Sequence, residues 1–128
     1  MNENELSSII VDVAYQLHSK LGPGLLESVY QELYVYKLRE RGLSVETEVD
    51  LPLVFEGKNF SSSFKIDILV EKKVIIELKS VENLLPVHKK QLLTYLRLAD
   101  LRLGILINFG SALIKDGIKR IVNGLEDK

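Results

Sequence analysis

Asp67 and, ten residues later, Glu77-Leu78-Lys79 place two carboxylates and an amine inside apolar runs that read as paired β-strands. Charged side chains seldom stand beside a buried sheet unless they are paired or bind something. Two acidic oxygens can hold a divalent cation, and a lysine beside them can orient or activate a water. That equipment suits hydrolysis of a phosphodiester bond.

Alternation along a strand puts Glu77 and Lys79 on one face, with Ile76 and Leu78 on the other. If Glu71-Lys72-Lys73 forms a three-residue loop, Val70 pairs with Val74 and Asp67 lies directly opposite Glu77. Directly opposed residues sit roughly 5 Å apart at Cβ on the same face, where like charges repel unless a cation intervenes. A two-residue loop would set Asp67 against Ile76 instead and dissolve the pair. No glycine occupies the loop, so one lysine is expected at positive φ. The bland alternative makes Asp67 an edge-strand charge and Glu77 with Lys79 a surface pair. Against it, Val74-Ile75-Ile76 just before Glu77 predicts a strand buried on both faces.

The elements that must position these groups follow from periodicity. Leu6, Ile9, Ile10, Val13, Leu17 and Leu21 form a helical stripe over residues 6–21, closed by Gly22-Pro23-Gly24. A second helix is predicted over 25–41, with Leu26, Val29, Tyr30, Leu33 and Leu38 as its apolar face and Gly42 as its stop. Val45, Thr47 and Val49 then alternate with acids in a half-buried strand that continues past Pro52 to residue 55, and Glu56-Gly57-Lys58-Asn59 reads as a turn. Residues 60–70 and 74–78 are the next strands, 84–99 a helix and 103–107 an apolar strand. The tail, 114–122, is amphipathic and predicted as a short helix. The order α-α-β-β-β-α-β describes an α/β (α+β) fold, a mixed sheet with helices beside it, in a single domain over 1–128.

Further polar groups fall on the helices. Glu27 sits in the first turn of the second helix with Tyr30 on the same face, a place where an acid is also favoured by the helix dipole alone. His88, Gln91 and Tyr95 share one stripe of the later helix. Gln91 and Tyr95 could hydrogen-bond phosphate oxygens, or cap an edge of the core. His88 reads as a solvated or hydrogen-bonded histidine rather than a metal ligand. Of the scattered basic residues, Lys89 and Lys90 are the best placed to meet phosphate.

Composition excludes several classes. A net charge of −1 over 128 residues carries no bulk signal for nucleic acid, although a local patch would not show in it. There is no cysteine, so disulfides, thiol catalysis and thiolate metal sites are out, which accords with a reducing cytoplasm. No apolar run is long enough to span a bilayer, and the acidic start Met-Asn-Glu-Asn-Glu is unlike a signal peptide. A cytoplasmic chain without a membrane partner is expected.

Gly24-Leu25-Leu26-Glu27-Ser28-Val29-Tyr30 resembles the signature of the GxxExxY proteins. The resemblance runs on through Asp67, Ile75-Ile76-Glu77-Leu78-Lys79-Ser80, residues 88–96 and 104–110, covering the chain from about residue 10 to 122. That family is placed in the PD-(D/E)xK nuclease-like superfamily, with a restriction-endonuclease-like α-β-β-β-α-β core. The resemblance implies that Asp67 and Glu77 hold a divalent metal, Mg²⁺ or Mn²⁺, with Glu27 as an additional acid and Lys79 assisting the attacking water. Gln91 and Tyr95 are similar to a Gln-x-x-x-Tyr motif that positions the substrate strand, and Tyr30 would join them. Ile66 stands where the superfamily's name has proline, a position that touches no ligand.

The expectation is a Mg²⁺-dependent nuclease acting on nucleic acid, DNA first. A binding module that keeps the constellation without turnover is the alternative, since no separate domain grips a duplex. A hydrolase of small phosphate esters is a third reading. Oligomeric state stays open, a homodimer included.

Overall fold

The computed structural model describes residues 1–125, apart from the side chains of 61–63. Helices α1 (Glu3–Leu21) and α2 (Glu27–Glu40) precede strands β1 (Val45–Phe55), β2 (Lys58–Val70) and β3 (Val74–Lys79). Helix α3 (Pro86–Ala99), strand β4 (Leu103–Asn108), the single turn α4 (Ile114–Gly117) and strand β5 (Ile118–Val122) complete the chain. The five strands form one mixed sheet in the order β1-β2-β3-β4-β5, in which only β3 and β4 run parallel. The parallel pair is joined by α3, as parallel neighbours require.

Three layers result. One face of the sheet packs Val74, Ile76, Leu78, Leu103, Ile105 and Ile107 against α1 and α2. The other packs Ile75 and Leu106 against Leu92, Tyr95 and Leu96 of α3. Both central strands are buried through nearly their whole length, as the unbroken apolar runs predicted. Helix α3 lies close to the sheet because Gly104 faces it: a Cβ there would come within 2.9 Å of the Leu92 side chain.

Helix α1 is fixed at its start by Asn2, which accepts from the Glu5 N–H while Glu5 accepts from the Asn2 N–H. Its predicted stripe is the buried one, except that Leu21 lies exposed at the end. Helix α2 departs further from expectation. It starts at Glu27, two residues later than predicted, because Leu26 is extended at the N-cap. Leu26 and Val29 are therefore exposed, and the buried face is Tyr30, Tyr34, Val35 and Leu38.

The tail corrects the sequence reading. Only Ile114–Gly117 is helical, and Ile118–Val122 pairs antiparallel with β4. Strand β4 is fully buried, so its outer row of N–H and C=O groups needs partners, and β-branched Ile118, Ile121 and Val122 supply a strand that provides them.

The β1–β2 hairpin holds a second surprise. Its ladder pairs Thr47 with Ile68 and Val49 with Ile66 but skips the pair between them, Glu48 and Asp67. Glu48 has φ of +50°. On one side of this gap Val45, Ile68 and Val70 pack under α1 and α2; on the other, Val49, Leu51, Phe64 and Ile66 pack under α3. Both strands thus exchange faces at one rung. Beyond it the hairpin leaves β3 and continues as a two-stranded arm, closed by a tight turn at Glu56 and Gly57, both at positive φ.

Candidate active site

The loop between β2 and β3 has the three-residue register. Val70 pairs with Val74, Leu69 with Ile75 and Ile68 with Ile76, and both Glu71 and Lys72 adopt positive φ. The ladder then stops one position short of Asp67 and Glu77, where β2 turns away into the arm. The two carboxylates fill the opening. Glu77 Oε1 accepts from the Asp67 N–H at 3.3 Å, and Asp67 Oδ2 accepts from the Leu78 N–H at 3.3 Å. Each side chain takes the place of a missing rung, which satisfies backbone donors that the fork would otherwise strand.

Glu77 is 9% exposed, and Asp67 is half-buried. Burial pushes the Glu77 carboxyl up to about 9, the neighbouring Asp67 charge pushes the same way, and Lys79 pulls it back. The shift is that of two acids sharing one site. Lys79 is half-buried on the same face of β3 and takes part in no ion pair or side-chain hydrogen bond among the described residues.

Glu27 opens α2 close enough to feel this group. Burial raises its carboxyl, Lys79 and His88 draw it down, and Asp67 raises it. The loop before α2 is tied to the end of β3 by Ser80 Oγ, which donates to the Leu25 carbonyl at 2.7 Å. Tyr30 completes that tie. It is fully buried, stacked on Phe109 at 4.6 Å between centroids, and its hydroxyl donates to the Gly22 carbonyl while accepting from the Leu25 N–H at 3.1 Å. The expectation that Tyr30 meets a substrate strand is corrected here: its hydroxyl is committed to the backbone of the loop that presents Glu27.

From α3, Tyr95 reaches the same group. Its phenol is raised by burial and by the charge of Glu77, and Gln91 Nε2 donates to its oxygen at 2.9 Å. Its ring packs on Phe64 of the arm at 5.4 Å. Gln91 itself is exposed. His88 Nδ1 accepts from the Leu85 N–H at 3.1 Å, so it caps its own helix, as the sequence reading expected.

Asn108 was not singled out from the sequence, although a polar residue ending a fully apolar strand was a visible signal. It is completely buried. Its Oδ1 accepts from the N–H groups of Val81 and Gly110, both at 3.0 Å, and its Nδ2 donates to the Val81 carbonyl at 2.8 Å and to Ser111 Oγ at 3.2 Å. This clamp holds the segment after Lys79 against the segment after β4. Gly110 lies so close that a Cβ would stand 2.4 Å from the Val81 oxygen.

Among the described residues no group of three or more His, Asp or Glu side chains forms a ready metal cage. The donor set nevertheless fits a hard divalent cation. Mg²⁺ is commonly held by one or two carboxylates with water completing its shell, and a cation between Asp67 and Glu77 would offset both the burial and the Asp67 charge that push the Glu77 carboxyl up.

The sheet and its fork define a mixed α+β scaffold with acid, then Glu-x-Lys, on adjacent central strands. A family model described as the PD-(D/E)XK nuclease superfamily matches residues 4–121, and the chain belongs to that superfamily. No curated protein and no solved structure matched.

Proposed function

We propose that this chain is a divalent-metal-dependent nuclease of the GxxExxY type, with DNA as its first substrate. The observation that carries the reading is the Asp67–Glu77 pair at the strand fork with Lys79 one alternation further along β3. Asp67 and Glu77 would hold Mg²⁺ or Mn²⁺, and Glu27 would lend a further acidic oxygen from α2. The bound cation would supply Lewis-acid stabilisation of charge building on the phosphate. Lys79, in no ion pair among the described residues, orients the attacking water and holds or takes its proton. Gln91 and Tyr95 steady the strand beside the pair, and α3 with the arm at Phe64 excludes solvent from that side. Superfamily membership supports a nuclease-type activity.

Asp67→Ala, Glu77→Ala and Lys79→Ala should each abolish Mg²⁺-dependent cleavage of DNA or RNA while the circular dichroism spectrum is kept. Calorimetry should show Mg²⁺ or Mn²⁺ binding in the wild type and none in Asp67→Asn/Glu77→Gln. Full cleavage by any alanine variant would sink the assignment. Main-chain donors already hold Asp67 and Glu77 in place without a cation, which favours, as second reading, a binding module without turnover. Oligonucleotide binding with no cleavage in Mg²⁺ or Mn²⁺ would select it.

A further inference from the structure

Across the sheet from the carboxylates lies a second concave feature that the proposed chemistry leaves unused. Lys89 and Lys90 of α3 and Lys119 of β5 line one cavity of about 350 Å³ with Leu84, Leu85 and Pro86. The three lysines come from two elements far apart in sequence. None takes part in an ion pair or side-chain hydrogen bond among the described residues, and no carboxylate lines the cavity. In a chain of net charge −1, three lysines lining one hollow with no carboxylate among its walls depart from the default mixed-charge solvated face. Like charges gathered this way repel, and an anion between them removes the cost.

The place of this cavity in the sheet gives the anion its class. Glu77 of β3 pairs with Leu106 of β4, and Leu106 pairs with Lys119 of β5, so the three stand on one rung and share a face. Lys119 is thus two strand spacings from Glu77, roughly 10 Å across the sheet. Helix α3 packs over Leu106 on this face, and its first turns carry His88, whose charge is felt by Glu27, and Lys89 and Lys90, which line the cavity. A polyanion whose phosphate lies at Glu77 and Lys79 would bring a phosphate a few nucleotides away over α3 to this hollow. Leu84, half-exposed Leu85 and Pro86 offer an apolar wall for sugars.

We infer that Lys89, Lys90 and Lys119 form a phosphate-binding subsite for the backbone of the nucleic-acid strand, flanking the cleavage site across α3. The inference rests on the nuclease reading for its ligand class but not on turnover. Such contacts hold a strand in place and read no sequence.

The test is anisotropy of fluorescein-labelled DNA and RNA oligonucleotides, single- and double-stranded, without divalent metal, as a function of salt. Lys89→Gln/Lys90→Gln/Lys119→Gln is compared with the wild type and with a charge-matched control, Lys20→Gln/Lys72→Gln/Lys115→Gln. The subsite variant should bind at least tenfold more weakly at low salt. Its slope of log affinity against log salt should be shallower by about 2 to 3, since each of three phosphate contacts contributes roughly 0.7–0.9. In Mg²⁺ its KM should rise with kcat kept. Affinity and slope equal to those of the control variant would overturn the subsite, as would failure of the wild type to bind any of the oligonucleotides. A wild type that binds and does not cut would remove the nuclease reading alone, and the subsite would still stand or fall on the variant's affinity.

Discussion

Asp67 and Glu77 each accept a hydrogen bond from the opposite strand's backbone, at 3.3 Å in both cases, where the β2–β3 ladder has already ended. The pair is therefore held in place by main-chain donors and needs no cation to be positioned. What it lacks without one is charge balance, and the first prediction follows from that.

Glu77 titrates near 9 in the fold against an ordinary value of 4.5. Between those values the folded chain keeps a proton that the unfolded chain releases, so stability falls as pH rises through the window. Thermal melts of the metal-free protein from about pH 5 to about pH 9 should show a declining Tm, flattened in Glu77→Gln. Mg²⁺ should raise Tm most at the alkaline end. A wild-type Tm that climbs relative to the variant over this range would contradict the assignment.

Tyr95→Phe keeps the ring on Phe64 and removes only the oxygen that receives the Gln91 amide. Stability should change by no more than about 1 kcal/mol. If Tyr95 and Gln91 steady the strand, kcat/KM should drop roughly tenfold, equivalent to about 1.4 kcal/mol. Unchanged kcat/KM would take Tyr95 out of the substrate path.

Tyr30→Phe leaves the stack on Phe109 intact but strips the Gly22 carbonyl and the Leu25 N–H of their partner. Urea denaturation should show a loss of about 1–3 kcal/mol. Activity should fall through the misplaced Glu27 rather than through weaker binding of substrate, so kcat should suffer more than KM.

Asn108→Ala removes two acceptors' worth of contact and two donors from a fully buried site. The stranded Val81 and Gly110 groups should cost at least about 3 kcal/mol in urea denaturation, as unsatisfied buried groups cost about 1–3 kcal/mol each. A loss below about 1 kcal/mol would mean the clamp is replaced by water.

Much of this site is written in local spacing. The three-residue loop and the alternation of Glu77, Leu78 and Lys79 are short-range facts, so the facing of Asp67 and Glu77 could be read before the fold was known. The tail could not be read that way. Ile118–Val122 becomes a strand because β4 presents an unpaired edge, a demand made by residues more than ten positions upstream. Nor was the face exchange visible, because Val45, Thr47 and Val49 alternate without a glycine to mark Glu48. Tyr34 was missed for a related reason: a tyrosine counts as ambivalent in a pattern, and only packing against Phe109 at 5.7 Å and its hydroxyl bond to the Ile10 carbonyl commit it to the core.

The face exchange at Glu48 and Asp67 also divides the chain into stretches that tolerate insertions and deletions very differently. Beyond that rung the arm no longer pairs with β3, so residues added at the Glu56–Gly57 tip lengthen a protrusion and leave the fork alone. Between Asp67 and Glu77 the count is rigid: one residue more or fewer rotates a carboxylate onto the opposite face, under α1 and α2. Length variation should therefore accumulate in the arm and vanish from the ten-residue span that joins the two acids.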